Sequence, residues 1–92
     1  DRHLEKEVMQ FDLNMVRQSD IVIVNVSGVS SSIGTAIELY EANRLNIPVI
    51  AYTDRDVADD IHPWIENCFS TVQMRKDELI NYICDFYMVR YM

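Results

Sequence analysis

Two acidic residues, Asp12 and Glu38, occupy positions where a carboxylate could take part in chemistry as well as face solvent. Asp12 follows Val8 by four residues, at the edge of an apolar helical stripe, and Glu38 lies about one turn into a segment that opens with Gly34. Two carboxylates near one site suit glycosyl chemistry, because one can attack an anomeric carbon while the other manages the proton of the leaving group. Each residue alone is equally typical of a surface acid on a helix. The hypothesis therefore requires a fold that brings the two together.

A loop of small polar residues, SGVSSSI at residues 27–33, precedes the segment that carries Glu38. Its serines and Gly28 can place backbone N–H groups and hydroxyls around an anion, and a helix that begins near Gly34 directs its positive end the same way. Neither a P-loop nor a Rossmann glycine pattern is present. The pattern alone therefore favours a plain turn between a strand and a helix, and an anion-binding loop is the alternative.

Apolar periodicity indicates the elements that must position these residues. One stripe of a first helix, ending near Ser19, consists of Leu4, Val8, Phe11 and Met15. The runs IVIVNV (21–26) and IPVIAY (47–52) are typical of parallel strands buried on both faces. Further helices are predicted at residues 35–45, 64–67 and 76–91, an acidic loop at 53–60, and a short strand at 69–72.

This order of elements predicts an α/β fold, a small doubly wound (flavodoxin- or Rossmann-like) parallel sheet flanked by helices, with right-handed crossovers. Such a fold usually opens with a strand, whereas this chain opens with a helix. We therefore expect the first strand to be missing from this chain and the domain to be incomplete upstream of Asp1.

The predicted topology places the two carboxylates at similar depth. The strand at 21–26 rises roughly 20 Å at about 3.3 Å per residue. Counting down the following helix at about 1.5 Å per residue places Glu38 roughly 14 Å above the start of the strand, and Asp12 lies about 12 Å above it. The two carboxylates can meet if the helices share a face of the sheet or flank its edge. The helix end would keep Glu38 ionised. Partial burial against Val8 and Met15 would favour a protonated Asp12.

Composition excludes several classes of protein. The 92 residues are enough for one domain, and the net charge of −7 argues against binding nucleic-acid polymers, which need a basic face. The longest apolar run is far shorter than the roughly 20 residues that span a bilayer, and no secretory signal opens the chain. Cys68 and Cys84 lack metal-ligand spacing, so we expect two buried, reduced thiols in a cytoplasmic protein, with no metal and no cofactor. The last predicted helix is apolar around nearly its whole circumference, which favours burial against a second subunit and a homodimer or higher homo-oligomer.

The stretch FDLNMVRQSDIVIVNVSGVSSSIGTAIELYEANRLNIPVIAY, residues 11–52, resembles the nucleoside 2-deoxyribosyltransferase family. In pattern it is most similar to the family's relatives that are 2′-deoxynucleoside 5′-monophosphate N-glycosidases. The ordered set carries the resemblance: an Asp-Leu opening, a Ser-Asp pair, a hydrophobic strand, a polar loop, Gly-x-x-x-Glu and a strand introduced by Pro-Val. It implies that residues 1–92 form a single domain that cleaves or transfers the N-glycosidic bond of a small (deoxy)nucleoside or its 5′-monophosphate.

The resemblance also implies site residues. Glu38 matches the family's nucleophile, and Asp12 matches the aspartate that contacts the sugar or base and assists proton transfer. Ser32 falls where enzymes acting on nucleosides have an aspartate and the monophosphate glycosidases have a phosphate-binding serine, which favours a 5′-monophosphate substrate. Ser30 and Gly34 would complete the phosphate cradle.

Three further residues are expected to bind substrate: Asn14, His62 and Trp64. In the relatives a loop after the later strand reaches into the neighbouring subunit's site, and His62 and Trp64 occupy the similar place here. A capping histidine and a core tryptophan are the alternative.

The sequence departs from the family at Tyr40-Glu41-Ala42, where Gly-Tyr/Arg-Ala is usual. Tyr40 either crowds the pocket or only repacks the helix, and the family's first strand with its glycine-containing loop is not visible. Two alternatives to an enzyme therefore stay open. One is a domain that binds a nucleotide or nucleotide sugar without turnover, and the other is a structural, partner-binding domain.

Overall fold

The computed structural model describes residues 2–27, 29–55 and 60–88, without the side chains of Arg2, His3 and Ser30. The helices are α1 (Arg2–Arg17), α2 (Ile33–Arg44), α3 (Pro63–Glu66) and α4 (Lys76–Tyr82), and the strands are β1 (Val22–Asn25), β2 (Val49–Thr53) and β3 (Met74–Arg75). A 3₁₀ turn at Val29–Ser31 precedes α2, and a π-helical turn at Ile83–Met88 continues α4.

The three strands form one parallel sheet in the order β1-β2-β3. Val22 pairs with Val49, and Tyr52 pairs with Met74. Because consecutive parallel strands need a crossover, α2 returns the chain from β1 to β2 and α3 lies on the path from β2 to β3. The α/β fold class, a small Rossmann-like parallel sheet flanked by helices, is confirmed.

The core lies around β1 and β2 on the side covered by α2. Val49, Ile50 and Ala51 are fully buried, as their apolar run predicts, and Leu39 and Ala42 bring the inner face of α2 against the sheet. After Arg44, Asn46 takes a positive φ of 59°. There the N–H of Ile47 donates to the Ala42 carbonyl over 2.9 Å, the Schellman arrangement that ends a helix. This sharp end turns the chain directly into β2.

The third strand differs from the sequence expectation. A strand was predicted at residues 69–72, but β3 lies at Met74–Arg75. The predicted segment does run beside β2, because the Ser70 N–H donates to the Val49 carbonyl over 2.8 Å. The Val49 N–H, however, donates to the Ser70 hydroxyl over 2.9 Å. A side-chain hydroxyl thus replaces a backbone acceptor, and the regular ladder begins only at Met74.

The terminal helices bury less than their apolar patterns predict. The predicted stripe of α1 stays largely exposed (Leu4, Val8, Phe11 and Met15), and α1 packs chiefly on α2. In α4 and the turn after it, Leu79 is buried whereas Ile80 and Met88 are exposed. Of the two cysteines, both free, Cys68 is buried as predicted and Cys84 is exposed, so the expectation for Cys84 was wrong.

Candidate active site

A cleft of about 250 Å³ lies between α1 and α2. Three carboxylates line it: Glu5 and Asp12 on α1, and Glu38 on α2. Apolar side chains and one glycine form the rest of its wall (Val8, Met9, Leu13, Ile33, Gly34 and Ile37). The two carboxylates singled out from sequence therefore open into one cavity, although they are 26 positions apart in the chain.

Helix geometry explains why Asp12 opens into the cleft. Residues 5, 8, 9, 12 and 13 recur at spacings of three and four, so they share one face of α1. Val16, the buried side chain of the described part of α1, continues that face and anchors it to the core. Asp12 therefore lies within the face of α1 that packs toward α2, beside Val8, and the other members of the predicted stripe, Leu4, Phe11 and Met15, are not part of that face.

The first turns of α2 supply the opposite wall. Ser32 is the N-cap: its hydroxyl accepts the Thr35 N–H over 3.4 Å and donates to the Thr35 hydroxyl over 2.9 Å. Serine at this position satisfies one of the N–H groups that a helix start leaves without a partner. Gly34 and Glu38, one turn apart, then face α1. A Cβ at Gly34 would meet nothing within 4 Å, so neither the packing of the two helices nor the backbone requires glycine at this position.

The two carboxylates differ in their surroundings. Glu38 is half-buried, and burial, followed by the negative charge of Asp12, raises the pKa of Glu38 above its ordinary value of 4.5. Asp12 is exposed. The expectation that Asp12 would be the partly buried carboxylate of the pair is therefore wrong: Glu38 is the more buried of the two, because the face of α1 that carries Asp12 borders an open cleft rather than the core.

An ion pair joins the two helices next to the cleft. The Arg17 guanidinium of α1 lies 3.6 Å from a carboxylate oxygen of Glu41 on α2, and Arg44 also hydrogen-bonds to Glu41. The hydrogen bond from Arg44 and the positive charges of Arg44 and Arg17 hold the pKa of Glu41 below its ordinary value. Glu41 is therefore an ionised anchor, one helical turn from Glu38.

The structure does not bring every predicted site residue into this cleft. Asn14 is exposed on α1, about 200° around the helix from Asp12. His62 is the N-cap of α3, its ring nitrogen accepting the Trp64 N–H over 3.2 Å, as the capping alternative anticipated. Trp64 is 81% exposed and is not a core residue. The side chain of Ser30 and all of Gly28 lie outside the described residues.

The sequence reasoning also missed residues that the structure places at the site. Glu5, Met9 and Ile37 line the cleft, and the ion pair of Arg17 with Glu41 borders it. The spacing of Glu5 and Met9 from Asp12 carried a usable signal, because positions three, four and seven apart on a helix share a face. The partner of Arg17, by contrast, depends on how α1 and α2 pack, which no local pattern reveals.

Within the described ranges, no group of three or more His, Cys, Asp or Glu side chains is arranged to hold a metal ion. The three carboxylates of the cleft are thus not a ligand set in this structure. None of the described helices combines the length and apolar character needed to cross a membrane.

Comparison with known proteins gave one match. The family model described as nucleoside 2-deoxyribosyltransferase matches residues 1–79, which include α1, β1, α2 and the whole cleft. Neither the comparison with curated proteins nor that with solved structures gave a match.

Proposed function

Because the chain belongs to the nucleoside 2-deoxyribosyltransferase family, we propose that it cleaves or transfers the N-glycosidic bond of a (deoxy)nucleoside or its 5′-monophosphate, with Glu38 as nucleophile. The observation that carries the proposal is the placement of Asp12 and Glu38 in one cleft, close enough that the charge of Asp12 raises the pKa of Glu38. Two carboxylates that face each other across a mainly apolar cleft, with Glu5 as a third on its wall, supply what a carboxylate nucleophile and its proton-transfer partner require.

In the proposed reaction the ionised carboxylate of Glu38 attacks C1′ of the sugar. The C1′–N bond breaks, its electron pair stays on the base nitrogen, and a proton from Asp12 neutralises the leaving base. Water or a second base, losing a proton to Asp12, then attacks C1′ and releases the Glu38 carboxylate. Charge and protons balance over the two steps, and Asp12 is returned in its starting form.

The apolar wall of the cleft has a physical role in this scheme. Val8, Met9 and Ile37 are 53%, 49% and 43% exposed in the free protein, and a sugar packed against them would displace water from the cleft. The lower local dielectric would then strengthen the interaction between an ionised Glu38 and positive charge developing on the sugar. Burial also raises the pKa of Glu38 in the free protein. As a consequence, Glu38 accepts a proton more readily than an ordinary glutamate does.

A 5′-monophosphate is our proposal for the substrate within this class. Ser32 adds no negative charge at the start of α2, and the backbone N–H groups of a helix start favour a phosphate. The cleft itself is lined by three carboxylates, so the phosphate would lie at the loop beside Ser32 rather than between α1 and α2. The Ser32 hydroxyl already caps the helix, and binding of a phosphate there would compete with the bond from the Thr35 N–H.

The non-catalytic alternative drew support from Tyr40, which stands where the family usually has glycine. Tyr40 is 62% exposed and follows Glu38 by two residues, so it lies on another face of α2 and does not narrow the cleft. This placement favours an enzyme over a binding domain.

The test is incubation of the protein with 2′-deoxynucleosides and with their 5′-monophosphates, followed by chromatography for the free base. We expect base release that Glu38→Gln abolishes and that Glu66→Gln, an exposed acid on α3, leaves unchanged. Faster turnover of monophosphates than of nucleosides is expected, and the reverse preference would contradict the phosphate proposal alone. Base release that survives in Glu38→Gln, or no release from any substrate, would contradict the proposed function.

We also propose that the protein forms a homodimer. Phe11 and Met15 are 64% and 52% exposed on α1, and exposed aromatic and methionine side chains are typical of interfaces. Sedimentation over a range of concentrations is expected to show a dimer that Phe11→Glu dissociates. A monomer at every concentration would contradict this part of the proposal.

A further inference from the structure

The ion pair of Arg17 and Glu41 lies on the same interface as the two carboxylates of the cleft. Glu41 follows Glu38 by three residues, about 4.5 Å along α2, and Arg17 follows Asp12 by five residues, about 7.5 Å along α1. The two pairs are therefore consecutive layers between the same two helices. A change in the distance between α1 and α2 at one layer is transmitted to the other by rigid helix backbone.

α1 has few other attachments that could set its position. Of its described side chains, from Leu4 to Arg17, Val16 alone is buried, and the stripe containing Phe11 and Met15 stays exposed. Within one chain α1 packs chiefly on α2, so inside the subunit the position of Asp12 depends on this one interface. An apolar contact such as that of Val16 is non-directional. The Arg17 guanidinium, 3.6 Å from a carboxylate oxygen of Glu41, adds an attraction between two particular points of the helices.

The Glu41 side chain is well placed to hold α1 against α2. Its side chain is only 13% exposed, whereas those of Arg17 and Arg44 are 48% and 53% exposed. Arg44, one turn later on α2, hydrogen-bonds to one of its oxygens, and Arg17 of α1 approaches the other. Arg44 therefore fixes the orientation of the Glu41 carboxylate from within α2, and Arg17 connects that carboxylate to α1.

We propose that Glu41, through Arg17, is a positioning residue that fixes Asp12 against Glu38 across the cleft. The proposal rests on the proposed function, because positioning has a catalytic consequence only if the two carboxylates react with a substrate. Its geometric content, that loss of the pair lets α1 move away from α2, is independent of any substrate.

Arg17→Gln tests the proposal, because the direction in which the pKa of Glu38 changes distinguishes loss of a charge from movement of α1. The charged groups that face Glu38 are Asp12 and Glu5 across the cleft, with Arg17 and Glu41 in the next layer. Removing the positive charge of Arg17 alone would raise the pKa of Glu38. If α1 moves away, however, Asp12 recedes and water enters, and both effects lower the pKa of Glu38.

Arg44→Gln is the matched control. It removes the same charge from the same carboxylate partner, but Arg44 belongs to α2 and does not join α1. The pKa of Glu38 is measured by NMR titration of its side-chain carboxyl carbon in both variants and in the wild type. The measurement needs no turnover, and circular dichroism confirms that each variant is folded.

We expect Arg17→Gln to lower the pKa of Glu38, and Arg44→Gln to leave it unchanged or raise it. With a substrate, kcat of Arg17→Gln is expected to fall about tenfold or more with little change in KM, since a displacement of about 1 Å at reacting groups costs on the order of 100-fold. Glu41→Gln should show the same loss of kcat, and the double variant no further loss, because both members of the pair act through one contact.

A pKa of Glu38 that rises in Arg17→Gln, or changes as it does in Arg44→Gln, overturns the positioning role. So do additive losses of kcat in the double variant. If the wild-type protein releases no base, the proposed function fails while the NMR comparison still decides whether the pair holds α1. If Glu38→Gln abolishes turnover and Arg17→Gln does not change it, the function stands and the positioning role fails.

Discussion

Replacement of Asp12 by asparagine removes one negative charge from the cleft with almost no change in side-chain size. In the wild type, burial is the larger cause of the raised pKa of Glu38 and the charge of Asp12 the smaller. We therefore expect Asp12→Asn to reverse less than half of the rise. The pKa of Glu38 should fall but stay above its ordinary value of 4.5.

The expected loss of activity follows from the exposure of Asp12. Loss of a general acid typically lowers the rate by about 10²–10⁴-fold. Asp12 is exposed at the mouth of an open cleft, so water can partly replace it as a proton donor. We expect a loss near the lower end, about 100-fold in kcat/KM, which corresponds to roughly 2.7 kcal/mol of transition-state stabilisation.

The assay is the pH profile of kcat/KM for base release, since its acid limb reports ionisation of Glu38 in the free protein. In Asp12→Asn the limb should move to lower pH while the plateau falls. Glu7→Gln, an exposed acid on α1 outside the cleft lining, serves as control and should change neither. An acid limb that stays in place or moves to higher pH would refute the electrostatic coupling, and a plateau within about threefold of the wild type would refute the role of Asp12 in proton transfer.

Three further outcomes test the structure without a substrate. Glu38→Gln should raise the Tm near neutral pH, because the folded state holds a proton on Glu38 more tightly than the unfolded state does. The stability from that raised pKa is present at low pH and lost as the pH rises through it, so the advantage of glutamine should vanish in melts at about pH 4. Leu39→Ala should lower stability by about 3 kcal/mol in denaturant titrations, because Leu39 is 1% exposed, whereas Ile33→Ala, at a side chain 79% exposed, should cost well under about 1 kcal/mol. Ser32→Ala should cost about 1 kcal/mol in the same titrations by removing the N-cap of α2, and no loss would contradict the capping geometry.

The parallel sheet could be predicted because its strands carry a local signal. Residues 21–26 and 47–52 are apolar runs rich in β-branched side chains, and β1 and β2 fall inside them. The third strand was misplaced by a few residues because Phe69 to Val72 has the same local character. The pairing of this segment with β2 is decided instead by the hydroxyls of Ser70 and Thr71, which accept hydrogen bonds from the N–H groups of Val49 and Ala51. Strand propensity does not predict hydrogen bonds between backbone N–H groups and side-chain hydroxyls.

The helix pattern failed where burial depends on partners. The stripe of Leu4, Val8, Phe11 and Met15 predicted the packing face of α1. Of these four, Val8 lines the cleft toward α2, whereas the face that meets α2 is centred on Asp12 and Val16. Two overlapping apolar faces exist on this helix, and only the tertiary contact selects between them. The approach of Asp12 to Glu38 could be anticipated from rise per residue along a strand and two helices, since those distances are fixed by backbone geometry.

The different burial of the two carboxylates bears on how the proposed reaction divides their roles. In the free protein Glu38, which has to be ionised to attack, is the carboxylate with the raised pKa, and Asp12, which has to donate a proton, is exposed. A sugar and base that fill the cleft would cover Asp12 and remove water from it, and loss of water disfavours the charged form of a carboxylate. Positive charge developing on the sugar carbon beside Glu38 would act in the opposite direction and favour its ionised form. In the proposed reaction, substrate binding would therefore supply the division between acid and nucleophile. A substrate with a small base, which leaves Asp12 in water, should then react more slowly than one that covers Asp12.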